Sequence, residues 1–264
     1  MNLTDISQAI EEIAVEAGNY IRAEAEGFDP STTEMKGLND FVTHVDKGSE
    51  ELLVAKLGKL IPSAGFLVEE NTSSASGDRY TWVVDPLDGT TNFIHGVHPF
   101  AMSIALSDRG EIVAGVVYEA AGRETFKTWK GGGAFLNGRR IHVSEISEAT
   151  KSLIATGFPY TDFTRLSSYL GCLGYMMKNT TGVRRMGSAS IDLAYVACGR
   201  FDLFFEYGLK PWDVAAGSLL VNEAGGIVSD FLGDRSKVDG KEIVASNAGI
   251  YPEMLKIISN FMSK

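Results

Sequence analysis

Between Asp5 and Glu26 the apolar residues Ile6, Ile10, Ile13, Ala17 and Ile21 recur at helical spacing, and Gly27 follows as a stop. Asp5 and Gln8 are a candidate capping pair for this helix. A second helix is predicted from near Asp46 to Leu60, ending before Pro62. The pattern then changes. Residues 65–68 and 81–84 are apolar runs too short for helices, and each ends at acidic residues. They predict buried strands that carry carboxylates at their C-terminal ends.

Residues 101–106, 111–118 and 124–129 read as a strand meander, with turns at Asp108-Arg109-Gly110 and Ala121-Gly122-Arg123. Glycines 131–133 and Asn137-Gly138 continue this turn-rich stretch to about Val143. Beyond about Glu145 strands alternate with helices. Helices are predicted over 188–198, 212–223 and 251–262, and strands over 200–205 and 242–245. Gly225-Gly226 would end one helix through a left-handed residue. No repeat or low-complexity linker interrupts the chain, so the expected organisation is two closely packed halves, 1–145 and 146–264.

The 264 residues suffice for a substantial core, and 44 % apolar with 22 % charged residues is an ordinary globular composition. No apolar run reaches membrane-spanning length, and Met1 to Asp5 lack the start of a secretory signal. Cys172 and Cys198 have no metal-ligand spacing and read as reduced, buried thiols, so a cytoplasmic protein is expected. The formal charge of −10, with no basic block, argues against nucleic acid as a partner. An acidic protein acts on an anionic substrate only if its carboxylates hold cations that reverse the local potential.

Three segments supply such carboxylates. In Trp82-Val83-Val84-Asp85-Pro86-Leu87-Asp88-Gly89-Thr90-Thr91-Asn92-Phe93 a buried strand delivers Asp85 to its end. Pro86 is expected to stop the ladder there, with Asp88 close enough to share cations with Asp85. Gly89 permits close backbone approach, and Thr90 to Asn92 read as a helix start whose N–H groups face an anion. An Asp-Pro turn before a capped helix would give the same local pattern. Glu69 and Glu70 end the preceding strand, where a solvated strand end is an equal reading. Asp213 opens an apolar helix, where it could equally be a plain cap. Together the three provide hard oxygen donors without clustered His or Cys, the donor set Mg²⁺ prefers. His44, His95, His98 and His142 lack ligand spacing and read as surface or packing residues.

The chain resembles the inositol monophosphatase family at these positions. Residues 82–93 are similar to its W-x-x-D-P-[IL]-D-G-T-T-N-F signature and residues 212–217 to its W-D-x-A-[AG]-[AG] signature. Similarity extends to Lys36, residues 40–46, Glu69-Glu70, Gly187-Ser188-Ala189 and Glu206. The resemblance implies a layered αβαβα sandwich of α+β and α/β halves, shared with the fructose-1,6-bisphosphatases. It implies a cytoplasmic, lithium-sensitive homodimer that binds two or three Mg²⁺ ions and takes a small phosphorylated cyclitol or sugar. Glu69, Asp85, the Leu87 carbonyl, Asp88 and Asp213 would be metal ligands, with Asp85 bridging. Gly89 and Thr90 would offer N–H groups to the phosphate. Thr90, paired with Asp46, would orient the attacking water, with Glu69 and Glu70 near it and Lys36 beside the metal–water network. Glu206 would bind sugar or cyclitol hydroxyls, and Asp88, Arg184, Gly187, Ser188, Ala189 and Asp213 would border the same substrate.

Three alternatives stand beside this reading. A phosphatase class with a nucleophilic aspartate uses D-x-D-G-T, but here two residues separate Asp85 from Asp88. Fructose-1,6-bisphosphatase or bisphosphate nucleotidase activity would need cations for a second phosphate, for which Arg184 and Arg185 are candidates. A non-catalytic metal-binding regulator would be expected to have lost a ligand position, and none is lost. The apolar meander over 101–118 is a candidate for dimer contacts.

Overall fold

The computed structural model describes residues 2–37, 40–73, 76–236 and 238–263, and the Asp40 side chain lies outside that description. The first helix, α1 (Leu3–Ala25), starts two residues before the predicted Asp5, because the Asn2 side chain accepts from the Thr4 N–H. Its stripe of Ile6, Ile10, Ala14, Ala17 and Ile21 is buried. A two-stranded ribbon, β1 (Glu34–Gly37) and β2 (Asp40–Val42), leads to α2 (His44–Leu60). Thr43 caps α2 in a reciprocal box with Asp46, so the helix begins just ahead of the predicted start.

The next strands form one sheet in sequence order: β3 (Gly65–Val68), β4 (Tyr80–Asp88), β5 (Ala101–Asp108), β6 (Glu111–Glu119), β7 (Glu124–Trp129), β8 (Gly133–Leu136) and β9 (Arg139–Ile141). The β3–β4 pair is parallel and the remainder antiparallel. Helices α1 and α2 cover one face. Trp82 and Val84 point into that core, whereas Val83 between them points into the core on the opposite face. Both faces are apolar, which hides the period of two and leaves a continuous apolar run. The short helix α3 (Thr90–Ile94) follows β4.

The second sheet has the order β11-β10-β12-β14-β13, where β10 is Leu153–Thr156, β11 Gly182–Arg184, β12 Leu203–Tyr207, β13 Ile227–Ser229 and β14 Glu242–Ser246. Helices α5 (Ala189–Ala197) and α6 (Pro211–Glu223) are packed between the two sheets. Helices α4 (Leu166–Asn179) and α7 (Tyr251–Met262) cover the outer face of the second sheet. The layers are therefore helix, sheet, helix, sheet, helix, the expected αβαβα sandwich.

The central layer lies close to the first sheet because small residues meet there. A Cβ on Gly115 of β6 would stand 3.0 Å from the Ala216 Cα of α6, and one on Gly217 would stand 2.6 Å from Leu193 Cβ of α5. Two expectations are corrected. Residues 101–107 and 113–118 offer no exposed apolar face for a dimer contact: β5 and β6 are interior strands covered on both faces, with Ile104 buried toward α1 and Ala105 toward α6. Nor does Pro86 stop β4, which continues to Asp88 through a register irregularity. No helix among the described residues is long and apolar enough to cross a membrane.

Candidate active site

The irregularity in β4 sets the geometry of the acids. Asp85 pairs with Ser103 and Asp88 with Ala101, so three steps along β4 match two along β5. In a regular strand, residues three apart face opposite sides; one extra residue restores both to the same side. Asp85 and Asp88 consequently look into one cavity. The bulge also suits Pro86, whose missing N–H no regular ladder could use. Its carbonyl accepts from Ser49 Oγ of α2 at 3.1 Å, tying the bulge to the first helical layer.

Glu69 and Glu70 follow β3 in a turn organised by the fully buried Glu50 of α2. Glu50 accepts from the Glu70 N–H at 2.7 Å and from the Thr72 N–H and hydroxyl at 2.8 Å. Lys36 of β1 reaches over the turn and donates to both Glu69 and Glu70. Asp46 is wholly buried and divides its carboxylate. One oxygen accepts from the Thr43 backbone and hydroxyl, and the other lies 3.0 Å from Thr90 Oγ1.

The central helices bring the remaining groups. Asp213, in the first turn of α6, accepts from the Lys210 N–H at 2.7 Å. The Trp212 carbonyl beside it is fixed by Ser103 Oγ at 3.0 Å, directly across the ladder from Asp85. Asp88 caps the start of α5 from outside that helix: one oxygen accepts from Ser188 Oγ, the Ser190 N–H and Ser190 Oγ at 2.6–2.8 Å. Gly89 has φ +91°, and a Cβ there would press on the carbonyls of Gly187 and Pro99, so glycine alone permits this approach of the two halves.

These elements enclose a cavity of about 340 Å³. Lys36, Glu69, Asp85, Asp88, Gly89 and Thr90 line it from the first half of the chain, with Leu87 between the aspartates. Gly187, Ser188, Ala189, Glu206 and Asp213 line it from the second. Glu70 and Asp46 stand behind the wall, held through Lys36 and Thr90 respectively. Arg184 is placed differently from the expectation. It lies exposed on β11 with its guanidinium turned to the Val183 carbonyl, while the next residue, Arg185, lines the cavity.

Carboxylates gathered in this way resist ionisation. Burial pushes Asp85 and Asp213 well above the ordinary carboxylate range, and repulsion among Asp85, Asp88, Glu69 and Asp213 adds to it. Burial raises Glu69 to about 7 despite the opposing charge of Lys36. Among the described residues no three His, Cys, Asp or Glu side chains already form a group that closes on one metal ion. Their oxygens are directed to protein donors instead, Glu69 to Lys36, Asp85 to the Leu87 N–H and Asp88 to Ser188 and Ser190. The donor types nevertheless fit a hard divalent cation: oxygen only, acid-rich, and short of positive charge.

Several contributors have no signal in the motifs. Glu50, Ser103 and Ser190 act through single hydrogen bonds to positions far away in sequence. Asn92 is of the same kind, donating to the carbonyls of Pro99 and Met186 at 2.7 and 2.8 Å and so tying α3 to the segment before α5. Asp192 and Arg185 also line the cavity. For Asp192 the available signal is an acid set in the mostly apolar helix Ala189–Ala197.

Comparison with known proteins agrees with this architecture. The model of the inositol monophosphatase family matches residues 2–262. The inositol-1-monophosphatase of Mesorhizobium japonicum is 45 % identical over 230 residues, covering 87 % of this chain and 86 % of its own. The Nus factor SuhB of Pseudomonas aeruginosa is 44 % identical over 247 residues, covering 92 % and 91 %. The crystal structure of the extragenic suppressor protein suhB from Bartonella henselae superposes with a TM-score of 0.91 at 38 % identity, covering 96 % of this chain and 98 % of that one. The chain belongs to the inositol monophosphatase family, whose members are generally metal-dependent.

Proposed function

We propose that the protein hydrolyses a phosphate monoester, with myo-inositol monophosphate as the preferred substrate, and that it does so with Mg²⁺. The observation that carries this reading is the convergence of Glu69, Asp85, Asp88 and Asp213, from separate segments, on one cavity beside the Thr90–Asp46 pair. Those four acids and the Leu87 carbonyl would hold two or three ions. Bound Mg²⁺ would supply charge stabilisation of the phosphate and lower the pKa of the attacking water.

The chain's own groups supply position. The Thr90 hydroxyl lies 3.0 Å from both Asp46 Oδ1 and the Leu87 carbonyl and has one hydrogen to give; given to Asp46, it would leave a lone pair to accept from the attacking water and aim it. The N–H groups of Gly89 and Thr90 would hold the phosphate. Lys36 limits the charge of Glu69 and Glu70 next to the water. Glu206, buried at the far end of the cavity, would accept from the hydroxyls of the leaving group. Little covalent work is required of side chains in phosphoryl transfer, so positioning and electrostatics suffice. Lithium would compete for a metal position. The reading includes a cytoplasmic homodimer.

Fructose-1,6-bisphosphatase and bisphosphate nucleotidase activities rank below this, because of the two candidate cations for a second phosphate Arg185 alone borders the cavity, while Arg184 is turned away. The test is relative turnover of inositol 1-phosphate, fructose 1,6-bisphosphate and adenosine bisphosphate; preference for either bisphosphate would reverse the order. A second reading is favoured by one observation, that relatives about as similar as the phosphatase carry the name Nus factor. A non-catalytic role of that kind would leave the protein without Mg²⁺-dependent phosphate release. A charge of −10 without a basic block disfavours direct contact with nucleic acid in such a role.

A further inference from the structure

Helix α2 turns three fully buried polar side chains, Asp46, Ser49 and Glu50, toward the site. Their spacing of three and four residues puts them on one helix face. Asp46 meets Thr90, and Ser49 holds the Pro86 carbonyl of the bulge. Glu50 reaches a third segment, the turn after β3. It accepts there from the Glu70 N–H at 2.7 Å and from the Thr72 N–H and hydroxyl at 2.8 Å. Leu53 and Leu57, further along the same helix, are buried in the core and fix its position.

The sheet guides this turn only as far as Val68, which pairs with Val84 in the β3–β4 ladder. Strand β3 is an edge strand, and Glu69 lies one residue beyond its last pair. Lys36 donates to the side chains of Glu69 and Glu70, but it stands on an exposed ribbon. A cation held by Glu69 would compete with Lys36 for the same oxygens. The grip of Glu50 is on the backbone and meets no such competition. It closes on both sides of Asn71, which is left-handed at φ +58° and donates to the Glu69 carbonyl at 3.2 Å. The Glu70 and Thr72 N–H groups can only donate, so both carboxyl oxygens of Glu50 must accept, which an amide cannot supply.

We infer that Glu50 is a positioning residue for the metal site: through the backbone of Glu70 and Thr72 it keeps Glu69 directed into the cavity with Asp85 and Asp213. This rests on the metal-dependent reading and extends it to a residue outside the cavity lining. Two residues one helical turn apart then have different effects. Asp46 acts through Thr90 on the attacking water and so on kcat, whereas Glu50 acts on the affinity for the cation.

The test is calorimetric titration with Mg²⁺, without substrate, of wild type, Glu50→Gln, Glu50→Ala and Leu53→Ala, with chemical unfolding measured beside it. Both Glu50 variants bind Mg²⁺ about ten- to a hundredfold more weakly, the range for loss of a group that orients a metal ligand. Their Mg²⁺ requirement in turnover of inositol 1-phosphate rises by the same factor, and kcat is largely recovered at saturating Mg²⁺. Leu53→Ala, in the apolar core three residues further on, loses stability but keeps its Mg²⁺ affinity. If neither Glu50 variant folds, Thr72→Val carries the test: the residue is exposed, one contact to Glu50 is lost, and affinity weakens less but in the same direction. Unchanged affinity in these variants, or equal weakening in Leu53→Ala, overturns the role of Glu50 and leaves the metal-dependent reading standing. A wild-type protein that binds no Mg²⁺ overturns both.

Discussion

Thr90 Oγ1 stands 3.0 Å from Asp46 Oδ1, although the two residues are 44 positions apart. The same Asp46 closes the capping box of its own helix through Thr43. Helix start and the hydroxyl proposed to aim the water therefore share one carboxylate, and mutation should separate the two functions. Thr90→Val should lower kcat by about a hundredfold, in the range of a lost proton-handling contact, with little change in stability. Thr43→Ala should instead cost about 1 kcal/mol of stability, with a smaller kinetic effect. Steady-state kinetics and denaturant unfolding of the two variants check the separation; equal kinetic losses would contradict it.

The crowding of acids predicts an unusual pH dependence. Carboxyls whose pKa is raised on folding, Glu69 to about 7 and Asp85 and Asp213 well above their ordinary range, bind protons more tightly folded than unfolded. Their contribution to stability is complete below the unfolded carboxylate pKa, roughly 4, and is lost as pH rises through the folded values. In chelating buffer the unfolding midpoint should therefore fall between about pH 5 and pH 8. Added Mg²⁺ should raise the midpoint most at the upper end, where the acids are ionised. Calorimetry across that range tests both signs.

Close packing of the central layer predicts a third result. A methyl group at Gly217 would meet Leu193 Cβ at 2.6 Å, so Gly217→Ala must displace α6 from α5. The expected cost is about 1–3 kcal/mol. Because Asp213 opens that helix, Mg²⁺ affinity should weaken as well. Chemical unfolding and metal titration by calorimetry measure the two effects.

Much of this was legible in the sequence, for identifiable reasons. The stripe of α1, the meander of β5 to β7 and the acids of residues 82–93 and 212–217 are local patterns, and local patterns survive in a linear reading. Strands β10, β11 and β13 escaped notice, being only three or four residues long and carrying no alternation of their own. Helix α4 was missed because Gly171 and Gly174 dilute its pattern. Pro86 was read as a strand stop, when it sits in the bulge that turns Asp88 to the side of Asp85. Arg184 and Arg185 cannot be told apart by composition; only the end of β11 decides that Arg184 is exposed and Arg185 borders the cavity. Glu50, Ser103, Ser190 and Asn92 position the site through contacts that exist only once the layers are assembled.

The cysteines give a simple chemical check. Cys172 is fully buried in the outer core, and burial alone pushes its thiol up to about 12. Cys198 is raised by burial too. Neither should be a thiolate at neutral pH. Iodoacetamide should leave both unmodified in the folded protein and label both after denaturation, as read by intact mass. Rapid labelling of Cys172 in native buffer would contradict the packing of α4.

The most direct test is phosphate release from inositol 1-phosphate, with and without Mg²⁺, by the wild-type protein, Asp85→Asn and Asp213→Asn. The expected result is turnover by wild type that chelation abolishes and Mg²⁺ restores, with almost none from either variant although both unfold cooperatively. Metal-independent turnover, or variants that retain it, would contradict a site built on these converging acids.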